Sequence, residues 1–205
     1  MKKNKPYYID KDVEIESGVV IFPNCYILGK SKIQKNTIIY PNTIIKDSLI
    51  GSGCIIKSSC IEQSEIKNNV TIGPFANIRP NSIIQDNCRI GNFVEIKNSK
   101  VDANTKISHL AYVGDAEIGK NCNIGCGVIF VNYNGKEKQK ITIKNNCFIG
   151  SNCNLIAPVT INDNCYICAG TTVTKNISAG DFVIGRVVES VKKDRAKKYL
   201  KEMYE

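Results

Sequence analysis

The one histidine of this 205-residue chain, His109, is the side chain best suited to acid–base chemistry. Imidazole changes its protonation near neutral pH, so histidine is the usual general base of enzymes. A single histidine cannot supply the three histidine ligands of a carbonic-anhydrase-type zinc site. His109 therefore predicts proton transfer rather than metal chemistry, and its other partners must come from the fold.

Two cations, Arg79 and Lys97, are the second chemical feature, and they stand 18 residues apart. If an 18-residue period made them neighbours, they would repel each other unless an anion lay between them. A phosphate fits, because arginine forks onto oxyanions and lysine adds a point charge. A second interpretation stays open, in which Arg79 pairs with Glu95 and Lys97 is merely solvated.

A six-residue repeat supplies that period. Isoleucine recurs without a slip from Ile15 to Ile45, and the spacing continues in steps of five or six to Phe130. After one interruption it resumes from Ile143 to Val173. This pattern predicts an all-β fold, a parallel β-helix with three hexapeptides in each coil of about 18 residues. Known hexapeptide helices are left-handed, so we expect that hand here.

The residue two before each periodic position is small, which predicts tight corners with that side chain buried. Asparagine before the corners and glycine after the periodic residue are expected to adopt positive φ. Seven of the ten cysteines occupy the small-residue position: Cys25, Cys54, Cys88, Cys122, Cys147, Cys153 and Cys165. They are interpreted as small, reduced, buried residues, and the lone Cys165–Cys168 pair does not predict zinc.

The register also assigns neighbours to His109. Glu95 and Tyr112 precede periodic residues on adjacent coils, and Asn123 stands one coil above Lys106. We therefore expect one edge of the prism to gather six polar residues: Arg79, Glu95, Lys97, His109, Tyr112 and Asn123.

Above His109, the column two after the periodic residue reads Cys126, Ser151 and Ala169. Small side chains stacked over several coils predict a shallow groove in which a long, thin ligand would lie. The interruption of the repeat follows Phe130, and it is expected to form a loop over the polar edge or over a neighbouring subunit.

Composition bounds the remaining classes. Residues 1–187 are expected to form one β-helix domain, and residues 188–205 a short α-helical tail. The net charge is +9, but aromatic residues are not interleaved with basic clusters, so nucleic-acid binding is not predicted. The sequence shows no signal peptide or membrane segment, so we expect a cytoplasmic protein with no membrane partner.

Seven segments closely resemble the acetyltransferase domain of the bacterial GlmU family, from about Ile9 to Arg186. They are GPFANIRP (73–80), IGNFVEIKN (90–98), HLAYVGDAEIG (109–119), NIGCG (123–127), VNYNGK (131–136), IGSNCNLIAPV (149–159) and AGTTVTKNI (169–177).

The resemblance implies a role for each matching residue. His109 would be the catalytic base, and Arg79 and Lys97 would hold a sugar phosphate. Substrate contacts are also implied for Tyr112, Asn123 and Lys138, while Glu95 is expected to orient the amine or the base. Acetyl-CoA contacts are implied for Cys126, Asn132, Tyr133, Ser151, Ala169 and Arg186.

The activity implied is acetyl transfer from acetyl-CoA to glucosamine 1-phosphate, without a metal, in a homotrimer with active sites between subunits. Cysteine at position 126 departs from the alanine usual in the family. The family's nucleotidyltransferase domain has no counterpart in this sequence, so no uridylyltransferase activity is expected and a separate uridylyltransferase becomes a candidate partner. Another amino-sugar acceptor, including a nucleotide-linked one, and a non-catalytic scaffold remain alternatives.

Overall fold

The computed structural model describes residues 6–196 and residue 198, in which the chain winds as a left-handed parallel β-helix. Short strands follow one another around a triangular prism, and each pairs in parallel with strands of the coils before and after it. The prism has three faces, here called face I, face II and face III, which the chain visits in that order.

The strands of face I form the first column. They are β1 (Tyr8–Ile9), β4 (Tyr26–Leu28), β7 (Ile44–Lys46), β10 (Cys60–Glu62), β13 (Asn77–Ile78), the second halves of β15 (Arg89–Lys97) and β17 (Lys106–Gly114), β20 (Ile129–Val131), β23 (Asn154–Ile156) and β26 (Thr172–Val173).

Face II is the separate nine-stranded sheet. Its strands are β2 (Glu14–Ile15), β5 (Lys32–Ile33), β8 (Leu49–Ile50), β11 (Glu65–Ile66), β14 (Ile83–Ile84), β16 (Lys100–Val101), β18 (Ala116–Ile118), β21 (Ile141–Ile143) and β24 (Val159–Ile161).

Face III leads back to face I, and β15 and β17 run continuously across the corner between the two. Its strands are β3 (Val20–Ile21), β6 (Ile38–Ile39), β9 (Ile55–Ile56), β12 (Thr71–Ile72), the first halves of β15 and β17, β19 (Asn123–Ile124), β22 (Phe148–Ile149), β25 (Tyr166–Ile167) and β27 (Phe182–Val183).

The periodic isoleucines form the core, as the repeat predicted. From Ile27 onward they are buried and stack in the predicted columns, for example Ile78 on Ile96 and Ile107 on Ile124. The first coil differs: Ile15 is 39% exposed, because this end coil pairs on one side only. Stacked branched side chains on parallel strands therefore stabilise the coils one on the next.

The seven cysteines of the small-residue column are buried and free, as predicted. Each thiol points at a backbone carbonyl of the next coil, as in Cys122 Sγ to Lys144 O at 3.0 Å. A hydroxyl at an equivalent corner makes the same bond, from Thr105 Oγ1 to Gly119 O at 2.7 Å. Cysteine thus replaces serine or threonine while keeping a donor for the corner carbonyl.

Asparagines at the corners adopt positive φ as predicted, with Asn104 at 61° and Asn121 at 56°. The prediction for the glycines is wrong at five of six positions, since only Gly73 has positive φ. At Gly91, for example, a Cβ atom would lie 1.8 Å from Ser108 O on the next coil. Close approach of two coils, rather than turn geometry, requires the other five: Gly51, Gly91, Gly119, Gly125 and Gly150.

The chain leaves the prism after β27. Residues 184–192 have no regular structure, residues 193–196 form a turn, and only Lys198 is described in helical conformation. The tail helix predicted for 188–205 is therefore wrong for residues 188–196, and beyond Lys198 it lies outside the described residues. Val187 and Val188 are 93% and 89% exposed, so these two side chains do not pack on the prism.

Candidate active site

His109 lies on the corner where β17 passes from face III to face I, and its side chain is exposed. Asn92 occupies the same position one coil below, because β15 and β17 pair in register there. The two side chains meet, with His109 Nδ1 2.9 Å from Asn92 Oδ1. An amide oxygen accepts a hydrogen bond, so this contact places the proton on Nδ1 and leaves Nε2 free to accept one.

Arg79 and Lys97 follow stacked core residues on adjacent coils, as predicted, and they line one cavity of about 400 Å³. Arg79 Nη1 also donates to Glu95 Oε1 at 2.7 Å. The ion pair of the second sequence interpretation therefore exists, and it occupies one guanidinium nitrogen while others stay available. Lys138 lines the same cavity from the loop that interrupts the repeat.

The cavity is electrostatically prepared for an anion. The side chain of Lys97, through its nearby amine and then through its positive charge, lowers the pKa of Lys138. When both lysines are protonated, their ammonium groups repel each other across the cavity, and an oxyanion between them would remove that repulsion. The side chains that line the cavity include one carboxylate, Asp115.

Asp115 joins the cavity to the loop of residues 131–140. Its Oδ1 accepts a hydrogen bond from Asn98 Nδ2 at 2.6 Å, and its Oδ2 accepts one from Asn132 Nδ2. Asn132 is buried and its amide also lies 3.5 Å from Tyr112 Oη. Gly114 makes room for this arrangement, since a Cβ there would lie 2.5 Å from Tyr112 Oη.

The loop folds over its own subunit. Tyr133 and Lys138 form an antiparallel bridge, and Tyr133 Oη donates to Gly135 O at 2.8 Å. Farther along, Lys140 forms an ion pair with Glu117 on face II. Of the two loop positions the sequence left open, the structure places Lys138 beside its own chain's polar residues.

The small-residue column above His109 is present and exposed at Cys126, Ser151 and Ala169. A 2.8 Å hydrogen bond from Asn152 N to Cys126 O joins the first two coils of this column. At the top, Arg186 Nη1 lies 3.3 Å from Ala169 O. This strip of small residues therefore runs from the corner of His109 to the guanidinium of Arg186.

The prediction that six polar residues share one edge is wrong. His109 lies on the corner between faces III and I, whereas Lys97 ends its strand at the opposite edge of face I. Lys97 is five steps along β15 from Asn92, the partner of His109, or roughly 17 Å of extended strand. Asn123 pairs with Lys106 on face III, so it stands on the other side of the histidine corner from Tyr112.

Sequence reasoning missed Asn92 and Asp115. Both were readable from the register, because Asn92 precedes His109 by 17 residues and Asp115 follows Asn98 by 17. Neither residue stood out by type, since asparagine and aspartate occur at many corners of this fold.

Within residues 6–196 and 198, no group of three histidine, cysteine, aspartate or glutamate side chains is placed to hold a metal ion. Over the same residues there is no helix of the length and apolarity that a membrane crossing requires.

These features define a hexapeptide-repeat protein with a left-handed parallel β-helix. Residues 140–175 match the bacterial transferase hexapeptide family, and residues 60–133 match the GMPPB C-terminal domain family. Two solved structures share the fold: Arabidopsis UDP-N-acetylglucosamine acyltransferase (17% identity, TM-score 0.64, 89% of this chain and 70% of that chain); and LpxA, a UDP-N-acetylglucosamine acyltransferase from Bacteroides fragilis 9343 (22% identity, TM-score 0.57, 86% and 69%).

Within this class, the chain is about half identical to the C-terminal acetyltransferase portion of GlmU, which confirms the resemblance. Bifunctional protein GlmU of Clostridium botulinum (strain ATCC 19397 / Type A) is 51% identical over 179 residues, 87% of this chain and 39% of the relative. GlmU of Caldicellulosiruptor saccharolyticus is 50% identical over 198 residues, 97% of this chain and 42% of the relative. The chain thus spans about two fifths of these curated relatives.

Proposed function

We propose that this protein is a cytoplasmic N-acetyltransferase that converts glucosamine 1-phosphate and acetyl-CoA into N-acetylglucosamine 1-phosphate and CoA. The observation that carries the proposal is the joint presence of a base with a fixed tautomer and a three-cation cavity. His109 is oriented by Asn92, and Arg79, Lys97 and Lys138 line the cavity. The identity to the acetyltransferase portion of GlmU supports the same donor and acceptor.

The acceptor phosphate binds among the three cations. Arginine offers a fork of donors and each lysine a point charge, so the phosphate locates the sugar before reaction. Orientation of this kind converts an encounter into an intramolecular step and supplies much of the rate. Tyr112, whose hydroxyl faces the same network, contacts the sugar.

The thioester lies at the base of the strip formed by Cys126, Ser151 and Ala169, with Arg186 toward the phosphates of CoA. The amine nitrogen attacks the thioester carbonyl carbon, and His109 Nε2 takes the proton that the amine releases. The carbon–sulfur bond breaks, the acetyl group stays on nitrogen, and the CoA thiolate receives the proton. No covalent bond to the enzyme is formed.

A homotrimer explains why the polar residues are divided between two faces. Asn123 on face III and Tyr112 on face I would meet if face I of one subunit packed against face III of the next. Repeating that heterologous contact three times closes a ring. Large exposed apolar side chains on both faces support this subunit contact. They are Tyr8, Tyr26, Ile44 and Ile129 on face I, Phe22, Phe148, Tyr166 and Phe182 on face III, and Phe75, Phe93 and Leu110 on their shared corner.

The decisive experiment measures thiol release from acetyl-CoA with glucosamine 1-phosphate, glucosamine, glucosamine 6-phosphate and UDP-glucosamine. We expect strong preference for the 1-phosphate. Preference for UDP-glucosamine would replace the acceptor by a nucleotide-linked sugar. No release with any acceptor, despite acetyl-CoA binding, would overturn the acceptor assignment, and no acetyl-CoA binding would favour a scaffold.

Subunit mixing tests the shared site. His109→Ala and Lys97→Ala are each expected to be inactive alone. If the two residues act across one interface, unfolding and refolding the two variants together restores part of the activity, because some interfaces then carry both intact residues. Sedimentation as a monomer, or failure of the mixture to regain activity while forming trimers, would contradict the arrangement.

A further inference from the structure

Asp115 holds both ends of the loop of residues 131–140. Its side chain accepts the hydrogen bond from the buried amide of Asn132, where the loop begins. Its backbone oxygen accepts a 3.2 Å hydrogen bond from Ile141 N, where the chain re-enters face II. One residue at the corner between faces I and II therefore closes the base of the loop that carries Lys138.

The backbone conformation at position 115 restricts which residue types can occupy it. Its φ of 50° lies in the left-handed region, which aspartate and asparagine tolerate better than most residues. Asp115 N also donates to Lys97 O at 3.1 Å, which ties the corner to the strand that presents the second cation. The backbone of Asp115 thus fixes the position of Lys97 relative to the loop.

The charges point the same way. In the cavity, Arg79 is paired with Glu95, and Lys97 and Lys138 line the same space as the carboxylate of Asp115. Both carboxylate oxygens of Asp115 are engaged by the amides of Asn98 and Asn132. The carboxylate can thus offset the two ammonium charges without occupying the lysine donors that a phosphate needs.

We propose that Asp115 is the positioning residue of the acceptor-phosphate site, which fixes the loop and holds Lys138 opposite Lys97. This proposal rests on the proposed function for the identity of the anion. It assigns no contact between Asp115 and the substrate. A bare carboxylate in the cavity would repel the phosphate, and the amides of Asn98 and Asn132 occupy both oxygens of Asp115.

The test variant is Asp115→Asn, which keeps a residue that tolerates the positive φ but removes the charge and one acceptor. The matched control is Asp163→Asn, because Asp163 also accepts bonds from an asparagine one coil away, Asn145, but lies outside the cavity. We expect Asp115→Asn to raise KM for glucosamine 1-phosphate about tenfold, the effect of one lost charge-assisted hydrogen bond. Turnover of unphosphorylated glucosamine should stay at the control's level.

Equal losses with both acceptors would show a merely structural role and overturn the proposal, as would an unchanged KM. Calorimetric titration with glucosamine 1-phosphate and with inorganic phosphate separates this proposal from the proposed function. If Asp115→Asn binds phosphate more weakly but the unaltered protein acetylates no sugar, the acetyltransferase assignment is wrong and the role of Asp115 stands. Phosphate binding equal to that of Asp163→Asn would overturn the role of Asp115.

A second readout requires no substrate. Trypsin cleaves after lysine, and Lys136, Lys138 and Lys140 lie in the loop. If Asp115 closes the base of the loop, Asp115→Asn opens it and cleavage there accelerates several-fold over Asp163→Asn. Identical cleavage rates in the two variants would contradict the clamp.

Discussion

The imidazole of His109 stands directly above the side chain of Asn92, and the 2.9 Å contact from Nδ1 to Oδ1 is made across two coils of the β-helix. The register of β15 and β17 alone brings the two together, since 17 residues separate them in sequence. A base whose tautomer is set by an amide is ready to accept a proton at Nε2. The contact is thus the structural origin of the proposed proton transfer.

Replacing Asn92 by alanine should lower kcat about fivefold to tenfold with little change in either KM, because a lost hydrogen bond of about 1 kcal/mol frees the ring to rotate and change tautomer. Steady-state kinetics on both substrates measure this. The control is Asn68→Ala, which also removes cross-coil hydrogen bonds but lies on earlier coils.

His109→Ala should abolish most turnover and leave acetyl-CoA binding intact; a fully active variant contradicts the assignment of the base.

The paired lysines predict the pH dependence of acceptor binding. Because Lys97 lowers the pKa of Lys138, Lys138 loses its proton at a lower pH than an ordinary lysine. Phosphate affinity is therefore complete below that pKa and falls as the pH rises through it. Lys138→Arg should keep its charge and move the loss of affinity to higher pH, measured as KM for glucosamine 1-phosphate against pH.

The matched control for that profile is Lys136→Arg, a change in the same loop at a residue that does not line the cavity. In Lys136→Arg, KM for glucosamine 1-phosphate should rise at the same alkaline pH as in the unaltered protein. A profile that does not move in Lys138→Arg would show that Lys138 does not set the acceptor affinity.

Cys126 should be the fastest thiol to react with iodoacetamide. It is exposed, whereas the cysteines of the corner column are buried, and burial raises the pKa of Cys54 and of Cys88 to about 11. The thiols of Cys54 and Cys88 are therefore scarcely ionised at neutral pH, and the thiolate is the reactive form. Peptide mapping after brief labelling measures the order.

If the strip above His109 holds acetyl-CoA, saturating acetyl-CoA should protect Cys126 from labelling. Cys126→Ala should remain active, since it restores a smaller side chain in the same groove. Labelling at an unchanged rate in the presence of a bound donor would place acetyl-CoA elsewhere on the molecule.

Gly91→Ala should destabilise the protein by roughly 2–3 kcal/mol, because the new Cβ would lie 1.8 Å from Ser108 O and must push apart the coils that carry Asn92 and His109. Urea unfolding gives the change in midpoint. Gly185→Ala is the control: the nearest atom to its Cβ would be a methyl of the Thr171 side chain, at 3.0 Å, so it should cost less than about 1 kcal/mol. Equal midpoints for the two would contradict the close approach.

The core and the columns were predictable because they depend on local periodicity. A six-residue spacing of branched residues places Ile78 beneath Ile96 and Arg79 beneath Lys97, and the structure has both. The same register assigned the cysteines to buried corners, as the structure places them. The glycines were misread, because the distance between Gly91 and Ser108 of the next coil depends on how closely two coils stack, which periodicity does not specify.

By itself, the sequence determined which side chains point inward, which stack, and which residue types line the surface, since alternation along short strands and a fixed repeat are properties of the chain alone. Only the tertiary structure decided where the corners divide the polar residues, so that His109 and Lys97 lie at opposite edges of face I. It also brought Lys138 into the cavity that Lys97 lines and Asn132 onto Asp115, because the path of an insertion depends on contacts outside the repeat.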